Sequence, residues 1–308
     1  MNILVTGGAG FIGSHIVNTY IKAGHRVTVI DNLSSGKLRF LNPEVNFYEM
    51  DILDPEVSEI IKSEKIETIN HHAAQISVSE SVADPLFDVN SNIIGTLQLL
   101  QSAVSSGVNK FIFASTGGGM YGEQIFFPAS EDHPCRPLSP YGISKLCAEN
   151  YITYFYTQYG LSTTILRYSN VFGPHQNPYG EAGVVAIFCE RLVNNKKPII
   201  SGDGKQTRDF VSVNDIAQAN LLALDPACTG IFNLGTGIET SINYLTKCLV
   251  EISNKNIATE YGQVRSGEQR RSVIDYKKFH EGFGWKPEIH LEQGLVETYN
   301  FFQNEKFK

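Results

Sequence analysis

Long hydrophobic runs, runs of one charge and paired cysteines are all missing from this 308-residue sequence. No apolar stretch approaches the roughly 20 residues that a transmembrane helix requires, and the opening MNILVTGG has neither the basic start nor the cleavage site of a signal peptide. The 25 Lys and Arg and 32 Asp and Glu give a formal charge of -7 without a basic stretch, which argues against nucleic acid or an anionic membrane as a partner. We therefore expect a cytoplasmic globular protein.

Cysteine is scarce, and its spacing fits no bridged or metal-bound pattern. The five cysteines are odd in number and contain no CxxC pair: Cys135, Cys147, Cys189, Cys228 and Cys248. His71 and His72 are also a poor metal pair, because adjacent strand residues point to opposite faces. We expect reduced thiols and no metal site. What the chain does have is 42% hydrophobic residues, enough for a full-size core, and 27 glycines.

Short apolar runs alternate with helical patterns through the first half of the chain, which predicts βαβ units and a doubly wound parallel sheet. One long helix is expected from about Pro85 to Ser106. After Gly173 the sequence becomes rich in Gly and Pro and then mixed, without repeats or a low-complexity linker. We predict a larger domain over residues 1–173, to which residues 206–236 return. A smaller, partly interleaved α/β domain over 174–308 would leave a cleft between the two.

A glycine-rich segment, TGGAGFIG, joins the first predicted strand to the first helix. Gly8, Gly10 and Gly13 satisfy GxGxxG, and Gly7 begins the offset pattern GxxGxxG. Glycine permits a tight turn and close approach of a pyrophosphate, while the helix start supplies N–H donors. In this strand–turn–helix context the segment predicts dinucleotide binding; an ordinary tight turn is the alternative.

Asp31 ends the second predicted strand, 18 residues after Gly13. A carboxylate at this place accepts hydrogen bonds from both ribose hydroxyls and repels a 2′-phosphate, so NAD is favoured over NADP. The alternative is a strand-end aspartate that caps a turn.

Tyr141 and Lys145 occur in YGISK, four residues apart on a predicted helix and therefore on one face. A lysine ammonium near a phenol stabilises the phenolate. Together with TGxxGxxG, the DN pair at residues 31–32 and RYSNVFGP at 167–174, this motif resembles the extended short-chain dehydrogenase/reductase family from end to end. Within it, the chain is most similar to the UDP-glucose 4-epimerase group.

The resemblance implies a Rossmann domain with NAD, a UDP-sugar-binding domain, and inversion at C4 of a UDP-hexose through a 4-keto intermediate. Tyr141 would be the base, and Lys145 would hold the nicotinamide ribose and lower the tyrosine pKa. The family's two long helices imply a homodimer with a four-helix interface.

Further site residues follow from the resemblance by position. Besides the glycines, Tyr141 and Lys145, the residues implied to bind NAD are Phe11, Ile12, Asp31, Asn32, Asp51, Ile52, Ala73, Ala74 and Asn92. Those implied to bind the UDP-sugar are Gln75, Asn170, Gly183, Val184, Ile200, Ser201, Arg208, Arg265 and Glu268. The two arginines among them would grip the diphosphate, since each guanidinium offers a bidentate fork.

One departure from the family concerns the proton relay. The family places Ser or Thr four residues before the tyrosine of its VYG motif, whereas STGGGMYG has Gly117 there and Thr116 just before it. A hydroxyl is needed to bond O4 of the sugar and pass the proton. We expect Thr116 to serve; water or backbone is the alternative. Gly118 and Gly119 stand where related dehydratases and decarboxylases carry acidic residues, which favours epimerisation.

Ser272, seven residues after Arg265, is relevant to the size of the sugar that the site can accept. A tyrosine at the matching family position goes with strict glucose/galactose enzymes, whereas a serine leaves room for an acetamido group, as in UDP-GlcNAc and UDP-GalNAc. A shift of the alignment by one residue is the alternative. UDP-glucuronate 4-epimerisation, or a reductase, is the enzymatic alternative to the reaction itself. A non-catalytic NAD-binding regulator is a further one, against which the Tyr141/Lys145 pair argues.

Overall fold

A computed structural model describes residues 1–179, 183–264 and 269–305. In that part of the chain the strands are β1 (Asn2–Thr6), β2 (Arg26–Asp31), β3 (Asn46–Glu49), β4 (Thr68–His71), β5 (Lys110–Thr116), β6 (Ser162–Tyr168), β7 (Asn170–Phe172), β8 (Ile199–Ser201), β9 (Thr207–Arg208), β10 (Phe210–Ser212), β11 (Gly230–Leu234), β12 (Thr240–Ser241), β13 (Glu260–Gly262) and β14 (Arg271–Ser272).

The helices surround these strands, and most follow a strand directly. They are α1 (Phe11–Lys22), α2 (Val57–Ser63), α3 (Val78–Ala83), α4 (Pro85–Val89), α5 (Gly95–Ser105), α6 (Pro140–Tyr159), α7 (Val184–Val193), α8 (Val213–Leu222), α9 (Ile242–Ser253), α10 (Lys277–Phe283) and α11 (Leu291–Glu305).

The main sheet has seven parallel strands in the order β11-β6-β5-β4-β1-β2-β3. The predicted doubly wound α/β sheet is confirmed. Its strand order reverses direction between β1 and β4, where Thr6 pairs with His71. In sheets of this kind, ligands bind beyond the carboxyl ends of the strands at this switch point. The loops after β1, β4 and β5 are therefore the place to look for a site.

Apolar side chains on both faces of the sheet bury the helices against it, as a parallel sheet requires. One face packs on α1, α8 and α10, with Ile16 and Trp285 in the buried cluster. The other packs on α2, α5 and α6, with Leu99 and Ile152 among the buried residues.

A smaller part of the fold lies beyond the main sheet. It has its own apolar cluster, in which Phe188, Leu249 and Tyr299 join α7, α9 and α11. Three short sheets accompany it: β10 with β7, β12-β9-β14, and β13 with β8. Between β10 and β12 the chain returns to the main sheet, because β11 pairs with β6. The exact domain bounds at residues 173 and 206–236 stay a prediction.

The long helix expected from Pro85 to Ser106 is divided in the structure. A π-helical turn, Asn90–Ile94, separates α4 from α5. The wider turn coincides with buried hydrogen bonds of Asp88 and Asn92. Apolar periodicity does not reveal such a change of pitch, which π-helical turns often make near functional sites. None of the helices in the described ranges has both the length and the apolar character to cross a bilayer.

Candidate active site

The glycine-rich loop makes a tight turn between β1 and α1. Gly7 has φ of +68°, and a Cβ there would lie 2.6 Å from the backbone nitrogen of Ala73. A Cβ at Gly13 would collide with the carbonyl oxygen of Gly7. Both positions therefore require glycine, because the loop is packed against its own helix and against the end of β4. The result is a backbone cradle at the switch point.

Helix α1 begins in this cradle with Gly10 as its N-cap, and no side chain among the described residues caps it. The first-turn N–H groups, which include those of Phe11 and Ile12, have no helical partner and carry the positive end of the helix dipole. Such a helix start is a binding site for phosphate. The cradle thus fits the pyrophosphate of a dinucleotide.

Asp31 lies beside the cradle and is almost fully buried. Its Oδ2 accepts the N–H of Ala9 at 2.9 Å, and its Oδ1 accepts that of Leu33 at 2.8 Å. Burial raises the pKa of this carboxyl, and the two backbone bonds oppose the rise. The carboxylate therefore shapes the turn, as the alternative interpretation held. Each oxygen keeps a further lone pair for a ribose hydroxyl.

The predicted adenine-side residues form a small polar shelf next to Asp31. Asn32 Nδ2 donates to Asp51 Oδ2 at 2.8 Å, and Asp51 Oδ1 accepts the N–H of Leu53 at 2.9 Å. Ile52 is buried, and its side chain packs against Gly95 of α5. The shelf and the cradle are contiguous, so the two ends of a dinucleotide have places on one edge of the sheet.

Lys145 lies one turn after Tyr141 on the inner face of α6. The helix begins at Pro140, with the Ser139 hydroxyl accepting the N–H of Gly142 at 3.1 Å. Lys145 Nζ donates to the carbonyl oxygen of Ala114 at 2.9 Å and lies 4.6 Å from the ring centroid of Phe113. Burial lowers the pKa of this ammonium to about 8. The negative charges of Asp88 and Glu149 oppose that change, because they raise the pKa.

Tyr141 is held beside the loop that follows β5. Burial raises the pKa of the phenol to about 12, the negative charge of Asp88 adds to the rise, and a hydrogen bond with Thr116 opposes it. A hydroxyl that bonds the phenol more strongly when it is ionised lowers its pKa in this way. Thr116 and Tyr141 both border Gly119, where an added Cβ would lie 3.4 Å from Thr116 Oγ1 and 3.9 Å from Tyr141 Cε1. The proton relay through Thr116 stays a prediction.

The space around Gly117 is tight. The N–H of Gly117 donates to Tyr168 O at 2.6 Å, and an added Cβ would lie 2.6 Å from Ile274 Cδ1. Thr116 Oγ1 accepts the N–H of Gly119 at 3.0 Å, which turns the loop around the threonine. A side chain at residue 117 would require Ile274 to shift, and the role of Thr116 in place of the missing hydroxyl stays a prediction.

Asn170 begins β7 and faces the same loop. A Cβ at Gly118 would lie 3.6 Å from Asn170 Oδ1, and one at Gly119 would lie 3.9 Å from Tyr141 Cε1. The predicted sugar contact and the predicted catalytic residues are thus brought together around one short turn.

The residues predicted at the end of β4 are bonded largely to one another. Thr6 Oγ1 accepts the N–H of Ala73 at 3.3 Å, and Ala74 follows in the same turn. Asn92 accepts the N–H of Gln75 at 3.0 Å and donates to its carbonyl oxygen at 2.9 Å. The side chains of Asn92 and Gln75 are both buried. They shape the floor beside the cradle, and direct contact with a ligand stays a prediction.

The predicted uridine and diphosphate contacts lie on the smaller part of the fold. Ser272 is the register partner of Arg208 across β14 and β9, and it is buried. Ile200 is buried and Ser201 ends β8, while Gly183 caps α7 ahead of Val184. Arg265 and Glu268 lie outside the described residues.

Comparison with known proteins agrees with this geometry. The model of the NAD dependent epimerase/dehydratase family matches residues 3–235. The chain belongs to this family.

Similar full-length proteins also support membership of the epimerase/dehydratase family. The chain is 46% identical over 303 residues to a putative UDP-glucose 4-epimerase of Methanocaldococcus jannaschii, with 98% of both chains covered. It superimposes on the UDP-glucose 4-epimerase of Thermotoga maritima, solved with UDP-glucose, with a TM-score of 0.96, 48% identity and full coverage of both chains. The UDP-glucose 4-epimerase of Thermus thermophilus, solved with NAD, gives a TM-score of 0.93 at 40% identity, with 98% of this chain and 99% of that chain covered.

Asp88 is the site residue that the sequence reasoning missed. It lies on α4, is fully buried, and contacts the turn of α6 that carries the Tyr141/Lys145 pair. The only signal was a lone carboxylate inside the apolar pattern PLFDVNSNIIG. That signal does not distinguish a buried aspartate from an exposed one, because the contact that matters comes from 56 residues away.

The arrangement can move a proton between a ligand hydroxyl and Tyr141 with Thr116 as the intermediate, and Lys145 supplies a positive charge nearby. Since Gly118 and Gly119 carry no functional group, the turn offers no second acid or base. This is the chemistry expected of a member of the family that oxidises and reduces one carbon without eliminating a neighbouring group.

Proposed function

We propose that the chain is a UDP-hexose 4-epimerase, which interconverts UDP-glucose and UDP-galactose through a 4-keto sugar. The observation that carries the proposal is the placement of Tyr141 and Lys145 one helical turn apart on α6, with Thr116 on the adjoining Gly119 turn, at the edge of the sheet where the glycine cradle lies. The similarity to full-length UDP-glucose 4-epimerases supports it. NAD, the cofactor of the family, supplies reversible oxidation at C4 when it is bound.

The residues of this chain would perform the proton chemistry. Thr116 bonds O4 of the sugar, and Tyr141 accepts the 4-OH proton directly or through Thr116, later returning it. Lys145 favours the phenolate by its charge, since an adjacent cation lowers a phenol's pKa. The pKa of about 12 in the protein alone means that further positive charge at the site is needed to ionise Tyr141 near neutral pH.

Other residues would hold the UDP group while the sugar turns. Arg208 and Arg265 would grip the diphosphate, and Asn170 would bond the nucleotide sugar beside the Gly118 turn. Backbone and small side chains at residues 183–184 and 200–201 would enclose the uridine, and Glu268 its ribose. A fixed nucleotide with a free pyranose explains how both faces of C4 can be presented to one redox centre.

We also propose a homodimer. Exposed apolar side chains cover the outer faces of α4 and α6, where Leu86 is 74% exposed, Ile143 55% and Tyr154 50%. Such a patch on helices is typical of a protein–protein interface. Pairing both helices with their copies would make a four-helix interface. Sedimentation should give twice the 34.1 kDa chain mass, and Leu86→Glu together with Ile143→Glu should give the monomer.

Two further expectations are part of the proposal. Residues 1–173, with 206–236, would form the NAD-binding domain, and residues 174–308 the UDP-sugar-binding domain. A cytoplasmic location is supported by the five cysteines, all of which are free thiols in the structure.

Tyr141→Phe tests the assignment most simply. The variant keeps the ring and loses the proton acceptor, so turnover of UDP-galactose should fall by about a thousandfold, while NAD stays bound. Product separation after incubation with UDP-galactose measures the first, and cofactor release on denaturation measures the second. Near wild-type turnover in the variant would contradict the proposed role.

A second substrate class is favoured by Ser272. Ser272 on β14 is the register partner of Arg208 on β9, so this small residue adds no bulk next to an arginine that is proposed to bind the diphosphate. Comparison of kcat/KM for UDP-GalNAc and UDP-galactose tests it: values within about tenfold support the wider specificity, and no turnover of UDP-GalNAc restricts the enzyme to hexoses. UDP-glucuronate belongs in the same assay as the alternative substrate.

A further inference from the structure

Asp88 is a buried carboxylate with no assigned role, and it connects three segments of the site. Its Oδ2 accepts the hydroxyl of Ser144 at 2.5 Å. Its Oδ1 accepts the amide of Asn92 at 2.9 Å and that of Gln75 at 3.2 Å. These partners come from α6, the π-helical turn and the end of β4, so one side chain fixes all three relative to one another.

The π-helical turn explains how this connection forms. Asn92 lies in the turn, four residues after Asp88, and its amide reaches both the carboxylate and the backbone of Gln75. Local widening of a helix re-aims side chains in this way, and it costs helical hydrogen-bond geometry. The cost is offset where the re-aimed groups complete a buried polar network.

The charge of Asp88 also requires a partner, since burying a carboxylate without compensation is expensive. Among the described residues, no cation lies within ion-pairing distance of it. The cation whose charge it does influence is Lys145, the residue after Ser144. Asp88 therefore acts on Lys145 at longer range, through a low-dielectric interior.

We propose that Asp88 is a positioning residue for the reaction: it holds the first turns of α6 through Ser144 and places a buried negative charge near the Tyr141/Lys145 pair. The proposal rests on the proposed epimerase function. It assigns the carboxylate an electrostatic as well as a geometric part, because the same group that orders the turn faces the ionisable pair on it.

The sign of the electrostatic effect follows from the charge. A negative group near Tyr141 and Lys145 raises the pKa of both, which opposes the phenolate and supports the ammonium. Neutralising Asp88 should therefore lower both pKa values. The limbs of a pH profile that depend on Tyr141 and on Lys145 would then both move to lower pH.

The other charged groups near the pair do not mimic this effect. Glu149 of α6 raises the pKa of Lys145 but is held at 2.6 Å by Arg167. His71, which ends β4, and His72, which follows it, have pKa values lowered by burial and by Lys145, so they are neutral at pH 7. On α3 and at the start of α4, Glu80 and Asp84 are exposed to solvent, which screens them.

Three variants separate the two parts of the proposal. Asp88→Asn keeps the shape of the side chain and its hydrogen bonds but removes the charge. In this variant the new amide would donate to the Ser144 hydroxyl, which donates to Asp88 in the wild type. Ser144→Ala keeps the charge but removes the 2.5 Å bond to α6. Asp84→Asn removes one charge from the exposed N-cap of the same short helix, where Asn caps equally well, and is the matched control.

The measurement is the pH profile of kcat with UDP-galactose. Asp88→Asn should move both limbs to lower pH by about one unit, whereas Asp84→Asn should leave them in place. Ser144→Ala should lower kcat by about tenfold at unchanged KM, without moving the limbs. The proposal is overturned if the limbs of the pH profile of Asp88→Asn coincide with those of the wild type, or if Ser144→Ala has the wild-type kcat. If Asp88→Asn does not fold, the kcat of Ser144→Ala decides the matter.

A substrate-free measurement keeps this test separate from that of the proposed function. The ultraviolet absorbance of the phenolate, taken as the difference between each protein and its Tyr141→Phe counterpart, reports the pKa of Tyr141 alone. A lower value in Asp88→Asn supports the proposal, and an equal value contradicts it. If the wild-type protein shows no epimerase activity, the proposed function fails while this titration still tests Asp88.

Discussion

The two sides of the site are built in different ways. On the cofactor side, backbone makes the geometry: Gly7 and Gly13 allow a turn that any side chain would obstruct, and the start of α1 supplies the donors. On the side of the proton relay, single side chains from distant segments do so, among them Thr116 and Tyr141. A backbone site depends on what is excluded from it, whereas a side-chain site depends on what is present. Substitutions should therefore act differently on the two.

The largest effect is expected on the backbone side. Gly13→Ala would force a Cβ into the carbonyl of Gly7, so the turn must open and NAD should be lost from the purified protein, with stability reduced by about 1–3 kcal/mol. Gly282→Ala in α10 is the control: its Cβ meets nothing within 4 Å, and Ala in a helix should be neutral or stabilising. Cofactor content and thermal unfolding measure both. Full NAD content in Gly13→Ala would show that the backbone turn does not determine cofactor binding.

An intermediate effect is expected on the side-chain side. Thr116→Val removes the hydroxyl and keeps the shape, so kcat should fall by about 10- to 100-fold with the NAD content unchanged. Thr116→Ser restores the hydroxyl and should recover most of the rate. If Thr116→Val were as active as the wild type, the proton would pass through water or backbone and not through the Thr116 hydroxyl.

The smallest effect is expected at the seam between the two parts of the fold. His175 stacks on Phe40 at 4.0 Å, and its Nδ1 is 2.9 Å from Ser14 Oγ. Burial lowers its pKa to about 4, with smaller contributions from the charges of His15 and Arg39. Between pH 6.5 and about 4, His175 is therefore protonated in the unfolded state but neutral in the folded state. This linkage should reduce stability as the pH falls from about 6.5 towards 4.

His175→Gln tests that linkage. The histidine is only partly buried, so its share of the acid-side loss is about 1–2 kcal/mol, and the variant should show a correspondingly shallower pH dependence of the unfolding free energy. Chemical denaturation at several pH values between 4 and 7 measures it. Parallel curves for both proteins would show that His175 is not the titrating group.

The sequence predicted the cofactor side better than the other, and the reason is physical. Strand alternation and the spacing of Gly7, Gly10 and Gly13 are local signals, so they identify both the sheet and the loop that its order places at the switch point. The chemistry at Tyr141 and Lys145 is also local, one helical turn apart.

What the sequence could not reveal depends on contacts between distant segments. Ile274 approaches Gly117 closely, so that a side chain there would have to displace it, but no nearby residue indicates this. Asp88 meets Ser144 only after folding, and its helix changes pitch where periodicity predicts a continuous one. The uridine and diphosphate contacts were taken from resemblance, and two of them, Arg265 and Glu268, lie outside the described residues.

Incubation of the purified protein with UDP-galactose and no added NAD tests both sides of the site together. The backbone cradle should retain the cofactor through purification, and the Thr116–Tyr141 relay should use it without consuming it. The expected result is many turnovers to an equilibrium mixture with UDP-glucose. Failure to form UDP-glucose, or conversion that stops at one equivalent of NAD, would contradict the proposed epimerase activity.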